Sequence, residues 1–575
     1  MPKAIARTLT ALGLTLCIGA GVVAQEIIPP VAEQGLAGAY LAARVAAIDG
    51  NHRVAAEFFE RALAADPDNE TLITNAVFAH AAMGEWDQAA EIAARLPTTA
   101  QQGRDIAQLA LFVDLVRRGD LAAARTAINN GVGVGAVIDA LVIGWLYLDS
   151  GDMRRATQTF QQIVDNETNA SIALIHLALL RAAVGDFEGA NTILAGDEFG
   201  PVPMTTRVVR ARAEILAQLN QQAEAAALLS QYIETVPSPG LLALKSRLET
   251  QIDPDPYDFV VTPEQGIAEV FFTIATALVG AEGGAAGALP LLYAQVARGI
   301  DPDHAEATMF AAQILEQGRQ YQLAAETFAV VDPRDDEYVA AQLGRANALF
   351  DDDAETAAMD ILRDLAALHP NQATVHSALG DMLRRTEQCG QAISAYTRAL
   401  DLMDINTRGA WGLFYTRAIC NEREGNWPPA EADFRMALTL NPGQPNVLNY
   451  LGYSLVEQRR NLDEALDMIE RAAEARPNSG FIADSLGWVF YRLGRFDDAV
   501  APMERAVELE PNDPIINDHL GDVYWMVGRR REAEFQWRRA LSFEPTAEDA
   551  TRIRLKLDLG LDAVLENEGG VGEIQ

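Results

Sequence analysis

The chain has 575 residues, 49% of them hydrophobic and 22% charged, which is too long for one ordinary compact core and too apolar for disorder. Its formal net charge of −36 excludes nucleic acid and anionic lipid surfaces as natural partners, since both repel a polyanion. Aromatics are modest at 7% and Ala is abundant, a composition that favours helix.

The N-terminus differs in kind from the rest. Lys3 and Arg7 precede an apolar run, which ends at Val22-Val23-Ala24 before Gln25. That order is the one a secretory signal peptide shows, so residues 1–24 are read as a signal cleaved after Ala24. The run is short for a membrane anchor. A lipoprotein site at Cys17 would have bulky Leu16 where a small residue is wanted. No later stretch is long and apolar enough to span a bilayer, so the mature chain is expected to be exported, periplasmic and not inserted in the membrane. The basic residues are almost all Arg, with Lys3, Lys245 and Lys556 the only lysines, which we read as genomic base composition.

From residue 25 to 240 a helical pattern recurs. AAEFFERALAADPDN carries Ala55, Phe59, Ala62 and Pro67 in phase. A turn glycine stands five residues before a small Ala at Gly84–Ala89, Gly119–Ala124, Gly151–Ala156 and Gly185–Ala190. VPSPG at 236–240 and DPDPYDFVVTPEQG at 253–266 lack this periodicity, and a linker is expected over 241–265. GAEGGAAG at 280–287 reads as an enlarged turn.

The C-terminal array, 266–545, is clearer. LGWVFYRLGRFDDAVAPMERAVELEP begins at Leu486, and LGDVYWMVGRRREAEFQWRRALSFEP begins 34 residues later at Leu520. Within a copy come Leu520-Gly521, Tyr524, Gly528, Ala533, Trp537, Ala540 and Pro545. The preceding copy has Leu486-Gly487, Phe490, Gly494, Ala499, Met503, Ala506 and Pro511. Earlier copies run through Leu451-Gly452, Ala418 and Leu379-Gly380. Small residues permit two helices to cross closely, large ones fill the remaining gap, the mid-copy Gly makes the turn, and Pro stops the helix. A 34-residue helix-turn-helix unit is the tetratricopeptide spacing. The chain resembles tetratricopeptide repeat proteins, most strongly from Asn371 to Pro545. The resemblance implies an all-α solenoid of about a dozen or more units, its two arrays forming a superhelix. Residues 546–566 are expected to be a capping helix, and 567–575 a disordered tail. The C-terminal third, from LNYLGYSL to NDHLGDVYW, resembles exported tetratricopeptide proteins of alphaproteobacteria, which implies a periplasmic or outer-membrane-facing helper.

No catalytic or cofactor constellation emerges: there is no HExxH, CxxC, GxxxxGK[ST] or GxSxG. His369 and His376 read as exposed polar positions, GVGVG at 131–135 as a linker, and DDD at 351–353 as a solvated turn. The expectation is therefore no enzyme, no cofactor and no metal. With Cys17 removed, Cys389 and Cys420 remain on adjacent helices, where a disulfide is geometrically allowed; the alternative is two buried free thiols.

First helices of such units line a concave face. The phase puts Asn446, Asn449, Tyr450 and Tyr453 on it, then Asp484, Ser485, Trp488, Tyr491 and Arg492, then Asp518, His519, Asp522 and Trp525. Aromatics mixed with hydrogen-bonding groups suit a protein or peptide partner. The expected function is a non-enzymatic scaffold for envelope assembly or secretion, with self-association left open. The other reading is a glycan-binding accessory of polysaccharide export or cell-wall processes, since aromatic faces also stack on sugars. A carboxylate clamp relies on Lys and Arg along the groove; Lys is absent from these positions and the faces are acidic or neutral, so that function is not carried over.

Overall fold

The computed structural model describes residues 36–97, 104–131, 133–165, 170–251, 253–281, 287–407 and 409–568. The expected signal at 1–24 and most of the expected tail lie outside them. The described residues form 31 α-helices and no strand, and none of these helices is long and apolar enough to cross a membrane.

The spacing of small and large residues explains the pairing. A Cβ on Gly521 would stand 2.4 Å from Trp537, one on Gly487 2.5 Å from Met503, and one on Gly380 2.6 Å from Tyr396. Each glycine thus lies where the second helix of its unit presses a large, fully buried side chain against the first. The turns between the helices use the left-handed region, at Gly494 (φ 72°) and Gly528 (φ 82°). Several units lack that glycine, and Arg319, Asp353 and Glu387 adopt the same conformation at φ 59–60°.

The chain forms two compact units, one of Met1–Pro237 with Leu244–Ala307 and the other of Ser238–Ala243 with Thr308–Gln575. Unit 1 opens with six helix pairs, from Leu36–Ile48 with His52–Ala65 to Thr206–Gln218 with Gln222–Ile233. The expected linker at 241–265 is not a free joint. Helix Pro239–Thr250 occupies much of it, and in the non-helical stretch that follows Phe259 and Val260 are buried. The expected start of the C-terminal array at 266 is also displaced. Helices Pro263–Ala281 and Ala288–Ile300 form a hairpin that belongs to unit 1 and lies across the first helices of its repeats. The first hairpin helix packs on Ala136–Asp149 and Ala170–Ala183, and the second on Glu70–Met83 and Arg104–Arg117. Two hairpin glycines make room for tryptophans of the repeats: a Cβ on Gly266 would stand 2.1 Å from Trp145, and one on Gly299 2.3 Å from Trp86. Trp86 Nε1 donates to the Gln295 carbonyl at 3.0 Å, and Gln295 Nε2 donates to the Ala82 carbonyl at 2.7 Å. The groove of the first array is therefore filled by its own chain.

Unit 2 continues the pairs to Pro514–Met526 with Arg530–Ser542. Its end holds two helices in place of the single one expected, Ala547–Leu559 and Leu561–Asn567, broken where Gly560 takes φ 85°.

Candidate partner-binding face

The first helices of unit 2 carry the thirteen residues expected to face a partner. In the last repeat the structure puts most of them inside. Asp518 and Asp522 are buried, and Lys556 of the end helix, itself 1% exposed, places Nζ at 2.8–2.9 Å from the Asp518 oxygens and 2.6–2.7 Å from those of Asp522. Trp537 Nε1 donates to Asp522 at 2.9 Å. Burial, followed by repulsion from Asp522, pushes the Asp518 carboxyl up despite Lys556. One of the three lysines is thus the counter-ion that closes the array, a role its rarity in the sequence concealed.

The middle repeat is similar. Trp488 is buried between the Tyr491 ring (4.7 Å between centroids, 7° between planes) and the His519 ring of the next repeat (3.9 Å, 14°). Its Nε1 donates to Glu457 at 2.6 Å. His519 Nδ1 lies 3.0 Å from buried Asp484, and Ser485 Oγ, also buried, donates to the Phe481 carbonyl. Burial opposes charge on His519, yet Asp484 outweighs it and holds its pKa up. As lining of an open groove, Asp484, Ser485, Trp488, Tyr491, Asp518, His519 and Asp522 are corrected: adjacent first helices approach closely and share them. Tyr491 Oη is nonetheless left without a hydrogen-bond partner.

Asn446, Asn449, Tyr450, Tyr453, Arg492 and Trp525 stay half-buried. Trp525 Nε1 donates to Asp562 of the end helix at 3.0 Å, and Arg492 lies 3.6 Å from Glu457. Arg476 donates to Asn446 Oδ1 at 3.1 Å. Tyr450 packs on Phe434 and Tyr415, and Tyr415 on Trp411. Trp411 and Tyr415, both half-buried, extend the row one repeat earlier. The sequence reading missed them, although one 34-residue step back from Asn449 lands on Tyr415. Asn449 Oδ1 is buried and has no hydrogen-bond partner. Burial, then Glu422, pushes the Tyr450 hydroxyl up to about 12, so it remains a proton donor.

Cys389 and Cys420 are free thiols in one core cluster. Burial, reinforced by a hydrogen bond from the Cys420 thiol to Cys389, pushes Cys420 up to about 12. His376 corrects the expectation of an exposed residue: it is buried, with Nε2 3.0 Å from the Pro370 carbonyl. The loop at 133–135 turns its amides onto Asp139, with Val134 N donating to Oδ1 at 2.8 Å. Its anion-binding groups therefore serve its own helix start. Asp351, Asp352 and Asp353 are exposed, as a solvated turn requires.

Two tetratricopeptide repeat family models match this chain, one over residues 46–111 and the other over 272–339, 422–480, 449–514 and 485–545. Those stretches carry tetratricopeptide repeats. The match at 272–339 begins inside the groove-filling hairpin, so part of a tetratricopeptide-like sequence is used there as filler. A TPR repeat-containing protein of Pseudomonas aeruginosa is 26% identical over 186 residues, spanning 32% of this chain and 30% of that relative. Among solved structures, the APC/C hetero-tetramer Cut9–Hcn1 is similar at 14% identity, covering 91% of this chain and 96% of that one, with a TM-score of 0.38. A tetratricopeptide repeat protein from Parabacteroides merdae matches at 15% identity over 45% and 98% of the two chains, TM-score 0.36.

Proposed function

We propose that this repeat protein is a non-enzymatic scaffold that takes a protein or peptide partner on the first-helix face of unit 2. We place its action after export, in the periplasm, in envelope assembly or secretion. The observation that carries the binding face is the row of half-buried rings, Trp411, Tyr415, Tyr450 and Tyr453. Part-exposed aromatic rings supply the apolar contact area on which protein interfaces are built. The equivalent face of unit 1 is filled by the hairpin, which leaves unit 2 as the array with a usable surface. Export is supported by the charged, apolar and small-residue order of residues 1–24.

A photo-crosslinking residue at Tyr453 tests the face, with one at Phe535, an exposed second-helix position, as control. Discrete protein adducts from Tyr453 and none from Phe535 are expected in envelope extracts. Equal labelling from both positions would remove the face from consideration, and adducts to polysaccharide alone would favour the glycan reading. Loss of about 24 residues from the precursor and recovery in the periplasmic fraction test export.

A further inference from the structure

We propose that unit 1 contains a binding site for an uncharged amphiphile, a short alkyl chain with a hydrogen-bonding head, at the seam between the hairpin and the repeats. A cavity of about 240 Å³ lies there. Its floor is Leu179, Leu194, Val208 and Ala211, all nearly fully buried, and Phe259 and Phe272 form its walls. Apolar cavities of ~150 Å³ stay dry and take up benzene, so this one accommodates a chain of roughly eight carbons.

The lining hydroxyls belong to Thr205, Thr206, Thr273 and Thr276, with Thr205 and Thr276 exposed and so marking the mouth. Thr276 Oγ1 spends its proton on the Phe272 and Thr273 carbonyls, at 3.2 and 3.0 Å, which leaves its oxygen as an acceptor. A head group that donates a proton, such as an alcohol or amide, fits this rim.

Two ionised residues also line the cavity, and they exclude a charged ligand because they are already matched. Arg207 donates through Nε and Nη2 to Glu269 and through Nη1 to Glu306 at 2.8 Å, while its plane lies 4.0 Å over the Phe259 ring. His304 stands 3.4 Å from Glu269 and 3.6 Å from Glu306, and Arg210 takes Glu214 and Glu306. A carboxylate entering the cavity would be desolvated with no cation left to meet it. Because the site draws on both hairpin and repeats, an occupant also ties the two together.

Calorimetric titration of the full chain with straight-chain alcohols tests the site. From butanol to octanol the Kd should fall about fourfold per added methylene and then level off. Octanoate should bind at least tenfold more weakly than octanol, and Thr276→Val, a change of one hydroxyl at the mouth, should weaken octanol while leaving the melting curve intact. Ala211→Trp, which fills the floor, should abolish binding. A flat series, equal binding of octanol and octanoate, or unchanged binding by a folded A211W chain would each overturn the proposal. If A211W fails to fold, the alcohol series and T276V still decide, and unchanged octanol binding by T276V would overturn the head-group contact.

Discussion

Lys556 is fully enclosed beside the buried carboxylates of Asp518 and Asp522, which the half-buried Arg552 also approaches at 3.8 and 3.6 Å. A buried ion pair adds little net stability when intact, but removing one member leaves charge buried without a partner. Lys556→Met should therefore cost about 3–5 kcal/mol, read as a lower denaturant midpoint for the C-terminal end. Adding Asp518→Asn and Asp522→Asn should recover much of it. A smaller effect of opposite sign is expected at Glu387, an exposed turn residue at φ 59°. Left-handed backbone disfavours any side chain, so Glu387→Gly should stabilise by about 1 kcal/mol in thermal unfolding. These residues also show where the sequence was opaque. Trp488, His519 and Asp522 occupy groove positions by phase, yet phase does not say how closely one first helix approaches the next. Lys556 was unreadable because its partners lie more than thirty residues away.

At the scale of elements, the helix pairs were legible because their signal is local: a glycine and the large residue it admits lie within one unit. The hairpin was not. Its apolar residues recur at helical spacing whether they pack on a neighbouring repeat or on first helices about one to two hundred residues earlier. Gly266 and Gly299 resemble turn residues until Trp145 and Trp86 are seen against them. The charge cluster that pins the hairpin gives it a pH dependence. Burial resists the charge on Glu269, but Arg207 and His304 outweigh it and hold its carboxyl at about 2. Glu306 is held low by the same neighbours against burial, while burial raises Asp301. For His304, burial and Arg207 lower the pKa, and Glu269 and Glu306 more than offset them, so the folded value lies above 6.5. A raised histidine stabilises fully below its unfolded value and loses that contribution as pH rises through the folded one. Asp301 acts in the same direction, and the depressed carboxylates lose theirs only in strong acid. The contribution of His304 should accordingly be larger near pH 6 than near pH 9, read as the gap between the unaltered chain and His304→Gln in denaturant titrations at the two pH values; His176, held at about 4 by burial, acts in the opposite sense and is common to both chains.

At the scale of the molecule, a plain solenoid is stabilised by nearest neighbours and can open from either end. Unit 1 departs from this, because the hairpin touches four successive first helices and joins them into one body. Gly266→Leu tests the coupling, since any Cβ there meets Trp145. The variant should lose about 1–3 kcal/mol. Amide exchange should accelerate together in helices Glu70–Met83 to Ala170–Ala183, with the helices from Pro445 to Ser542 unchanged. Acceleration confined to residues beside 266 would show that the repeats of unit 1 behave independently after all.

The hairpin also sets a timetable for synthesis. Met83 leaves the ribosome roughly two hundred residues ahead of Ile300, which at ~5–20 residues per second is a wait of about ten to forty seconds. During that wait the helices that will grip residues 263–300 have nothing to hold, and Trp145 stands where Gly266 has yet to arrive. A nascent chain in this state is a natural client for a holding chaperone. A fragment ending before residue 263 should clump at concentrations where the whole chain stays dispersed, as light scattering of the two would show.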